Sequence, residues 1–334
     1  MFDVITFGSA TNDIFLKLPE DKNIKNTENG IRDFFCLALG EKILVEDMEV
    51  FSGGGGTNVA CGLSALGLKT AYLGKVGNDS AGRLVINDLE RYSVSVQLLK
   101  KDKSLPTAVS FILSSGHDRT ILVFRGACHF LNKEEIFRDS PWRKGTVPEA
   151  KWLYLAPLYE KTAEFFSDLV GFAKSNNIKV AVNPSIYQIK RENAKFLETL
   201  AKADIIFLNK EEASIIANSP NSSAEETAKI IHKICPGIIA ITQGDNGAVV
   251  FDGERFFKAS VYKVAAVDKT GAGDSFAAGF LAGLFKANDI EYAIRLAMVN
   301  SSGCISQRGA KNGLLTQSEL KLLPNTDIIQ ERAF

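Results

Sequence analysis

Val267-Asp268-Lys269-Thr270-Gly271-Ala272-Gly273-Asp274-Ser275-Phe276 runs straight into small and apolar residues that read as a helix over 272–284. Glycines at a helix start let the backbone turn tightly and aim several N–H groups at one point. With the positive end of the helix dipole, these amides make an anion site. Asp274 stands at its edge, where a carboxylate in reach of a hydroxyl can orient it and take its proton. On local spacing a second role stays open, because Asp is also a favoured helix cap. Two other glycine-rich phosphate motifs do not hold. A dinucleotide fingerprint from Gly271 would need glycine where Phe276 stands. A P-loop from Gly62 reaches Gly67, but Leu68 then precedes Lys69-Thr70, and that pair follows a helix instead of opening one.

Working outward, short continuous apolar runs at 152–155, 180–182, 205–208 and 238–242 alternate with helical segments. Such runs suit parallel strands covered on both faces. Phe165, Phe166, Leu169, Val170 and Ala173 mark the buried stripe of one intervening helix. Residues 249–251 and 256–257 flank Asp252-Gly253-Glu254 as a hairpin, and 290–302 is a last helix. The N-terminal part differs. Residues 4–7 read as a buried strand, 20–30 as a polar loop and 37–51 as strands with one exposed face. Four glycines, Gly53 to Gly56, lead through Thr57-Asn58 into a small-residue helix over 59–66, closed by Gly67. A strand at 71–76, a helix at 81–92 and a hairpin at 108–113 and 120–124 follow, with Lys100-Lys101-Asp102-Lys103 as a solvated loop. The expectation is an α/β chain: a mostly parallel central sheet flanked by helices, plus a small antiparallel sheet from early strands.

Lys plus Arg and Asp plus Glu number 39 each, so the formal charge is zero. That balance argues against a broad nucleic-acid or membrane surface while leaving room for a local basic pocket. Cys36, Cys61, Cys128, Cys235 and Cys304 form no C-x-x-C pair, and His117, His129 and His232 lack zinc-ligand spacing. Reduced thiols packed as small hydrophobes are expected. The opening MFDVITFGSATNDIF lacks the basic flank and apolar length of a signal peptide, and no apolar run has membrane-spanning length. A cytoplasmic location is the expectation.

Two motifs together resemble the signatures of the PfkB/ribokinase family of carbohydrate kinases. The first joins Gly53, Gly54, Asn58, Ala60, Leu66 and Gly67 to Gly74, Val76, Gly77 and Asp79. The second is Asp268-x-Thr270-Gly271-Ala272-Gly273-Asp274-x-Phe276 with Gly279 beyond. The resemblance implies a single ribokinase-like domain over 1–334, with a β lid from about 14–18, 37–52 and 107–125. It implies transfer of the γ-phosphoryl group of ATP to a hydroxyl, with Mg2+. Asp274 is then the base, and Gly271, Ala272 and Gly273 the anion hole. Asp13, Gly53, Gly54 and Asn58 would hold the acceptor. Asn209 and Glu212 resemble an N-x-x-E motif for magnesium and phosphate placement, and Thr242, Gly244 and Gly247 the loop under the nucleotide. Asp268 resembles a residue that helps bind K+ in some members. A homodimer through lid edges is expected.

The signatures do not separate sugars, sugar phosphates and nucleosides. Gly55 stands where ribokinases usually carry Lys, while some phosphofructokinases of the family share the four-glycine run. The segment 118–127 looks more like members using neutral sugars or nucleosides. The expected acceptor is a neutral sugar such as ribose or a hexose, with a nucleoside as the nearest alternative. Arg119 and Arg125 are either surface residues or ligands for an anionic acceptor. A silent binding protein on the same fold is a reading of another class, against which the intact Gly-Ala-Gly-Asp argues.

Overall fold

The apolar runs assemble into one ten-stranded sheet. Its order is Ile328–Arg332, Arg255–Ala259, Ala248–Phe251, Ile238–Thr242, Ile205–Asn209, Lys179–Val182, Ala150–Leu155, Phe2–Phe7, Thr70–Gly77 and Leu99–Asp102. Neighbours from Ile238–Thr242 to Leu99–Asp102 pair in parallel, and the strands on the other side of Ile238–Thr242 pair antiparallel. The structure, a computed structural model, describes residues 1–19, 23–25, 33–35, 37–115, 118–137, 149–191, 194–324 and 327–333.

Alternate residues of each parallel strand enter opposite layers, as the two-residue strand period demands. Ile5, Phe7, Leu153, Leu155 and Val180 face one core, and Val4, Tyr154, Ala181, Ile205 and Phe207 the other. The second layer holds the helices Gly55–Ala65, Ala272–Ala287 and Ile290–Ile305. Small residues set how closely these helices approach. A Cβ on Gly62 would come within 2.8 Å of the Ala278 Cβ, and one on Gly283 within 2.5 Å of the Ala293 Cα. Close approach here brings the starts of Gly55–Ala65 and Ala272–Ala287 to one place at the C-terminal edge of the parallel strands, where α/β folds place ligands.

A second sheet of four strands has the order Asp47–Gly53, Thr11–Lys17, Ala108–Ser115 and Asp118–Phe124. Both outer pairs are antiparallel, and the middle pair is parallel. Several expectations change in detail. Of 37–51, only Asp47 onward is strand; before it Gly40 turns at φ 83°, and Leu39 and Leu44 stay in solvent with no strand to pair against. Within the stretch 20–30, residues Asn23–Lys25 pair with Asp33–Phe35, and the rest lies outside the described residues, as do Cys36, Gly116 and His117. The helix expected at 59–66 begins at Gly55, because Gly54 at φ 98° breaks the strand just before it. Lys100 to Asp102 is edge strand instead of loop, since Leu99–Asp102 pairs with Thr70–Gly77 and Lys75 bonds Asp102 at 2.9 Å. The final strand Ile328–Arg332 has no counterpart in the sequence reading. Cys61, Cys128, Cys235 and Cys304 are buried free thiols. No helix among the described residues is long and apolar enough to cross a membrane.

Candidate active site

The helix Ala272–Ala287 is capped by Gly271, whose φ of 79° is left-handed, so no side chain caps it. A Cβ at Gly271 would also lie 2.5 Å from the Ala310 Cβ, so the position demands glycine twice over. Ala272 and Gly273 follow as the first helical residues; Ala272 N makes only a long 3.4 Å bond to the Lys269 carbonyl, and neither amide has an intrahelical acceptor. A Cβ on Gly273 would meet nothing within 4 Å, so this turn faces open space. The cap role left open for Asp274 thus falls to Gly271.

Asp274 reaches across to the other glycine-rich start instead. Its Oδ2 accepts from Asn58 Nδ2 at 2.8 Å. Burial pushes the Asp274 carboxyl above the ordinary range, against the Asn58 bond and the charge of Lys311, while Asp13 pushes the same way as burial. A Cβ on Gly55 would lie 3.3 Å from Asp274 Oδ1, so glycine there keeps the approach to the carboxylate open.

Asp13 sits within Thr11–Lys17 and is buried. Thr11 Oγ1 donates to its Oδ1 at 2.8 Å, and burial raises its carboxyl, opposed by the Thr11 and Ser110 hydroxyls and Lys311. Gly53 is required by contact: a Cβ there would stand 1.9 Å from Asp13 Oδ2. Gly54 similarly approaches the Ser9 carbonyl, which a Cβ would meet at 2.5 Å. Asp13, Gly53, Gly54, Asn58 and Asp274 therefore share one locus between the small sheet and the main one.

On the other side of Gly271 lies a cleft of about 530 Å³. Thr242, Gly244 and Gly247 line one wall, and Val264, Phe276 and Met298 add apolar surface. Asn209 ends its strand in register with Thr242 but caps the helix Lys210–Ile216, its Oδ1 accepting from Glu212 N at 2.8 Å. Glu212 Oε2 in turn accepts from Asn209 N at 2.9 Å, completing a capping box. Glu212 is half-buried, burial raises its carboxyl, and its charge reaches Tyr154 and Tyr159 as that of Asp274 does.

Asp268 faces four donors: Thr270 N at 2.9 Å, Thr270 Oγ1 at 2.7 Å and Arg119 Nη1 at 3.2 Å on Oδ1, and Gly309 N at 3.2 Å on Oδ2. This set does not fit the K+ role the resemblance implied. Both oxygens are already acceptors, and the positive charge beside them is a guanidinium. Arg125 pairs with Glu160 at 2.9 Å and lies over the Tyr159 ring at 4.5 Å.

Sequence reasoning missed the segment after Ile290–Ile305. Arg308 bridges to Asp47 and Glu49 of the small sheet, Gly309 bonds Asp268, Ala310 packs on Gly271, and Lys311 reaches Ser52. Four successive residues thus hold the turn at Gly271 and the strand Asp47–Gly53 together. The only sequence signal is basic residues interleaved with Gly-Ala after a helix.

A glycine-led helix start with an apolar-walled cleft on one side and the carboxylates of buried Asp13 and part-buried Asp274 on the other suits a small-molecule kinase. The profile of the pfkB family carbohydrate kinases matches residues 22–317, and the chain belongs to that family. A 5-dehydro-2-deoxygluconokinase of Shouchella clausii is 30% identical over 82% of this chain and 86% of its own length. An uncharacterized sugar kinase of Archaeoglobus fulgidus is 30% identical over 76% of this chain and 98% of its own. Among solved structures, Arabidopsis thaliana ribokinase with ribose and ATP matches at TM-score 0.76 and 20% identity, covering 96% of this chain and 98% of that one. The chain is a phosphotransferase acting on a sugar-type hydroxyl.

Proposed function

We propose that the chain transfers the γ-phosphoryl group of ATP to a hydroxyl of a small sugar, with Asp274 as the base. The observation that carries this reading is the placement of Asp274: it sits in the first turn of the helix whose amides form the anion hole, yet its carboxylate points to Asn58 on the acceptor side. A carboxylate there can take the hydroxyl proton as the oxygen attacks. Gly271, Ala272 and Gly273 present backbone amides to the charge on the group in flight. The nucleotide ring fits the apolar cleft beside Phe276 and Met298, with Thr242, Gly244 and Gly247 beneath it. Glu212, partly buried on the Asp274 side and with one oxygen committed to Asn209, suits a hydrated Mg2+; that ion would neutralise the phosphates. Asp13 would accept from acceptor hydroxyls, and the small sheet would cover the sugar and exclude water. Exposed Met48, Val50, Phe111, Leu122 and Phe124 share one face of that sheet and give it an apolar surface that suits a second copy of the chain.

Ribose or a neutral hexose is the acceptor class this reading favours. Several relatives carry the name 5-dehydro-2-deoxygluconokinase, which favours a hexose-derived keto acid as the second reading. A coupled ADP-release screen over sugars, sugar acids, sugar phosphates and nucleosides separates them, run alongside Asp274→Asn. We expect one class to stimulate release and the variant to lose roughly a thousandfold in turnover. Near wild-type turnover in the variant would remove Asp274 from the base role.

A further inference from the structure

The small sheet reaches the turn at Gly271 from both of its edges. Asp118–Phe124 and Asp47–Gly53 are its outer strands. Arg119 of the first meets Asp268, three residues ahead of Gly271, at 3.2 Å. The second is gripped by the segment that follows Ile290–Ile305. Arg308 Nη1 lies 3.1 Å from Asp47 Oδ2 and donates to Glu49 Oε2. Asp47, Glu49 and Phe51 share one face of their strand, and pairing with Thr11–Lys17 makes it the face of Asp13 and Phe15. Arg308 thus holds the side of the sheet that carries Asp13.

From Arg308 the contacts run on to the turn residue by residue. A Cβ on Gly309 would lie 3.1 Å from the Phe51 ring, and Gly309 N donates to Asp268 Oδ2 at 3.2 Å. Ala310 stands against Gly271, whose added Cβ would meet the Ala310 Cβ at 2.5 Å. The Cys304 thiol reaches the Thr270 carbonyl at 3.6 Å and the Ala310 carbonyl at 3.4 Å, so both sides of this contact share one anchor. Arg308 itself lines a cavity of about 550 Å³ against Phe15 and Ile112 of the small sheet, not the apolar cleft beside Phe276. Its influence on a ligand of that cleft therefore passes through the Asp268–Gly271 backbone. The Arg308 ion pairs are partly exposed, and pairs of that kind add little to stability. Such a grip can control placement more than it can hold the fold.

We propose that Arg308 is a positioning residue for phosphoryl transfer, its grip on Asp47 and Glu49 setting the backbone turn at Gly271 that receives the transferred group. The inference rests on the reading of that turn as the anion hole of an ATP-dependent kinase. Linkage makes the effect reciprocal: a phosphoryl group held at the turn favours the placement of Asp47–Gly53 that Arg308 selects. The coupling can be no larger than the ion pairs that carry it, which limits it to about fivefold.

The test compares two nucleotides by isothermal titration calorimetry, each with Mg2+. ADP ends before the turn, whereas the γ-phosphate of the non-hydrolysable analogue AMP-PNP reaches it. Arg308→Met should weaken AMP-PNP about three- to fivefold and ADP less than about twofold. Arg308→Lys keeps the charge without the planar fork and should recover part of the loss. Glu49→Gln, at the far end of the pair, should reproduce the selective loss, and the double variant should lose no more than Arg308→Met alone. Equal losses for both nucleotides would mark a general disturbance and overturn the proposal, as would unchanged affinities or losses that multiply in the double variant. Should Arg308→Met not fold by circular dichroism, Glu49→Gln decides alone. A parent chain that binds neither nucleotide would instead overturn the ATP reading itself, which separates the two failures.

Discussion

Asn58 Nδ2 donates to Asp274 Oδ2 at 2.8 Å, joining two residues 216 positions apart in sequence. Each stands in the first turns of a glycine-led helix, and those helices pack on small residues, so the bond ties the Gly53–Asn58 turn to the turn at Gly271. The Asn58 amide favours the charged form of a carboxylate that burial disfavours. Asn58 Oδ1, by contrast, is buried with no donor among the described residues, which leaves the amide oriented by Asp274.

On the proposed reading of Asp274 as the base, Asn58→Ala removes a contact that favours its ionised form. Turnover near neutral pH should fall about ten- to a hundredfold, and the acid limb of the rate profile should move to higher pH. Asn58→Asp places a like charge against Asp274 and should shift the limb further. Initial-rate profiles from pH 5 to 9, on the order of four units wide, resolve both. An unmoved limb in either variant would detach Asn58 from the base.

The same burial makes a prediction for stability. The folded-state carboxyl of Asp274 is raised above its ordinary 3.8, so the fold gains stability as pH falls through the raised value and lacks that gain above it. Asp274→Asn carries no charge to bury, and its amide oxygen still accepts from Asn58. Its melting temperature at pH 8 should exceed that of the parent by about 2 °C or more. The gap should close as pH falls toward the ordinary carboxylate range. Calorimetry across pH checks both the sign and the closure; a variant melting below the parent at pH 8 contradicts the buried-charge account.

Gly53→Ala tests the acceptor cradle. Its Cβ would need the space of Asp13 Oδ2, 1.9 Å away, in a strand fixed by pairing with Thr11–Lys17. The carboxylate must swing off its Thr11 bond, so KM for the acceptor should rise about tenfold or more. KM for the nucleotide, whose proposed cleft lies on the far side of Gly271, should change by less than about twofold. Equal effects on both constants would mean that the substitution disturbs the whole fold.

The parallel core was legible because Ile205–Asn209 and Ile238–Thr242 are short β-branched runs, and two-sided burial leaves such a signature. Both glycine turns were legible for a related reason: Gly271 and Gly53 are held by contacts that admit no side chain. The small sheet was harder, since Leu39 and Leu44 are as apolar as strand residues yet meet no partner strand. Lys311 and Asp88 were not legible at all. Their value comes from a meeting of residues 223 positions apart, 311 minus 88, which local pattern does not encode. Asn209 and Glu212 show the reverse, a motif whose most direct geometry is a capping box.

Arg119 decides the cation question. It comes from the strand Asp118–Phe124 of the small sheet and meets Asp268, three residues ahead of Gly271, at 3.2 Å. Asp268 also fixes the turn by accepting from Thr270 N and Thr270 Oγ1, so the guanidinium links the small sheet to the backbone turn at Gly271. A cation placed against Asp268 would have to displace a covalently tethered one, and a tethered charge needs no salt in solution. Turnover should thus vary less than about twofold when K+ is replaced by Na+ or tetramethylammonium at constant ionic strength, which holds screening equal. Arg119→Ala leaves Asp268 with its three neutral donors and an uncompensated charge; it should lower kcat/KM about tenfold and make the remainder respond to K+. Rescue by K+ in the variant together with indifference in the parent is the expected pair of results. A parent chain that already needs K+ would show that Arg119 does not take the place of the ion at Asp268.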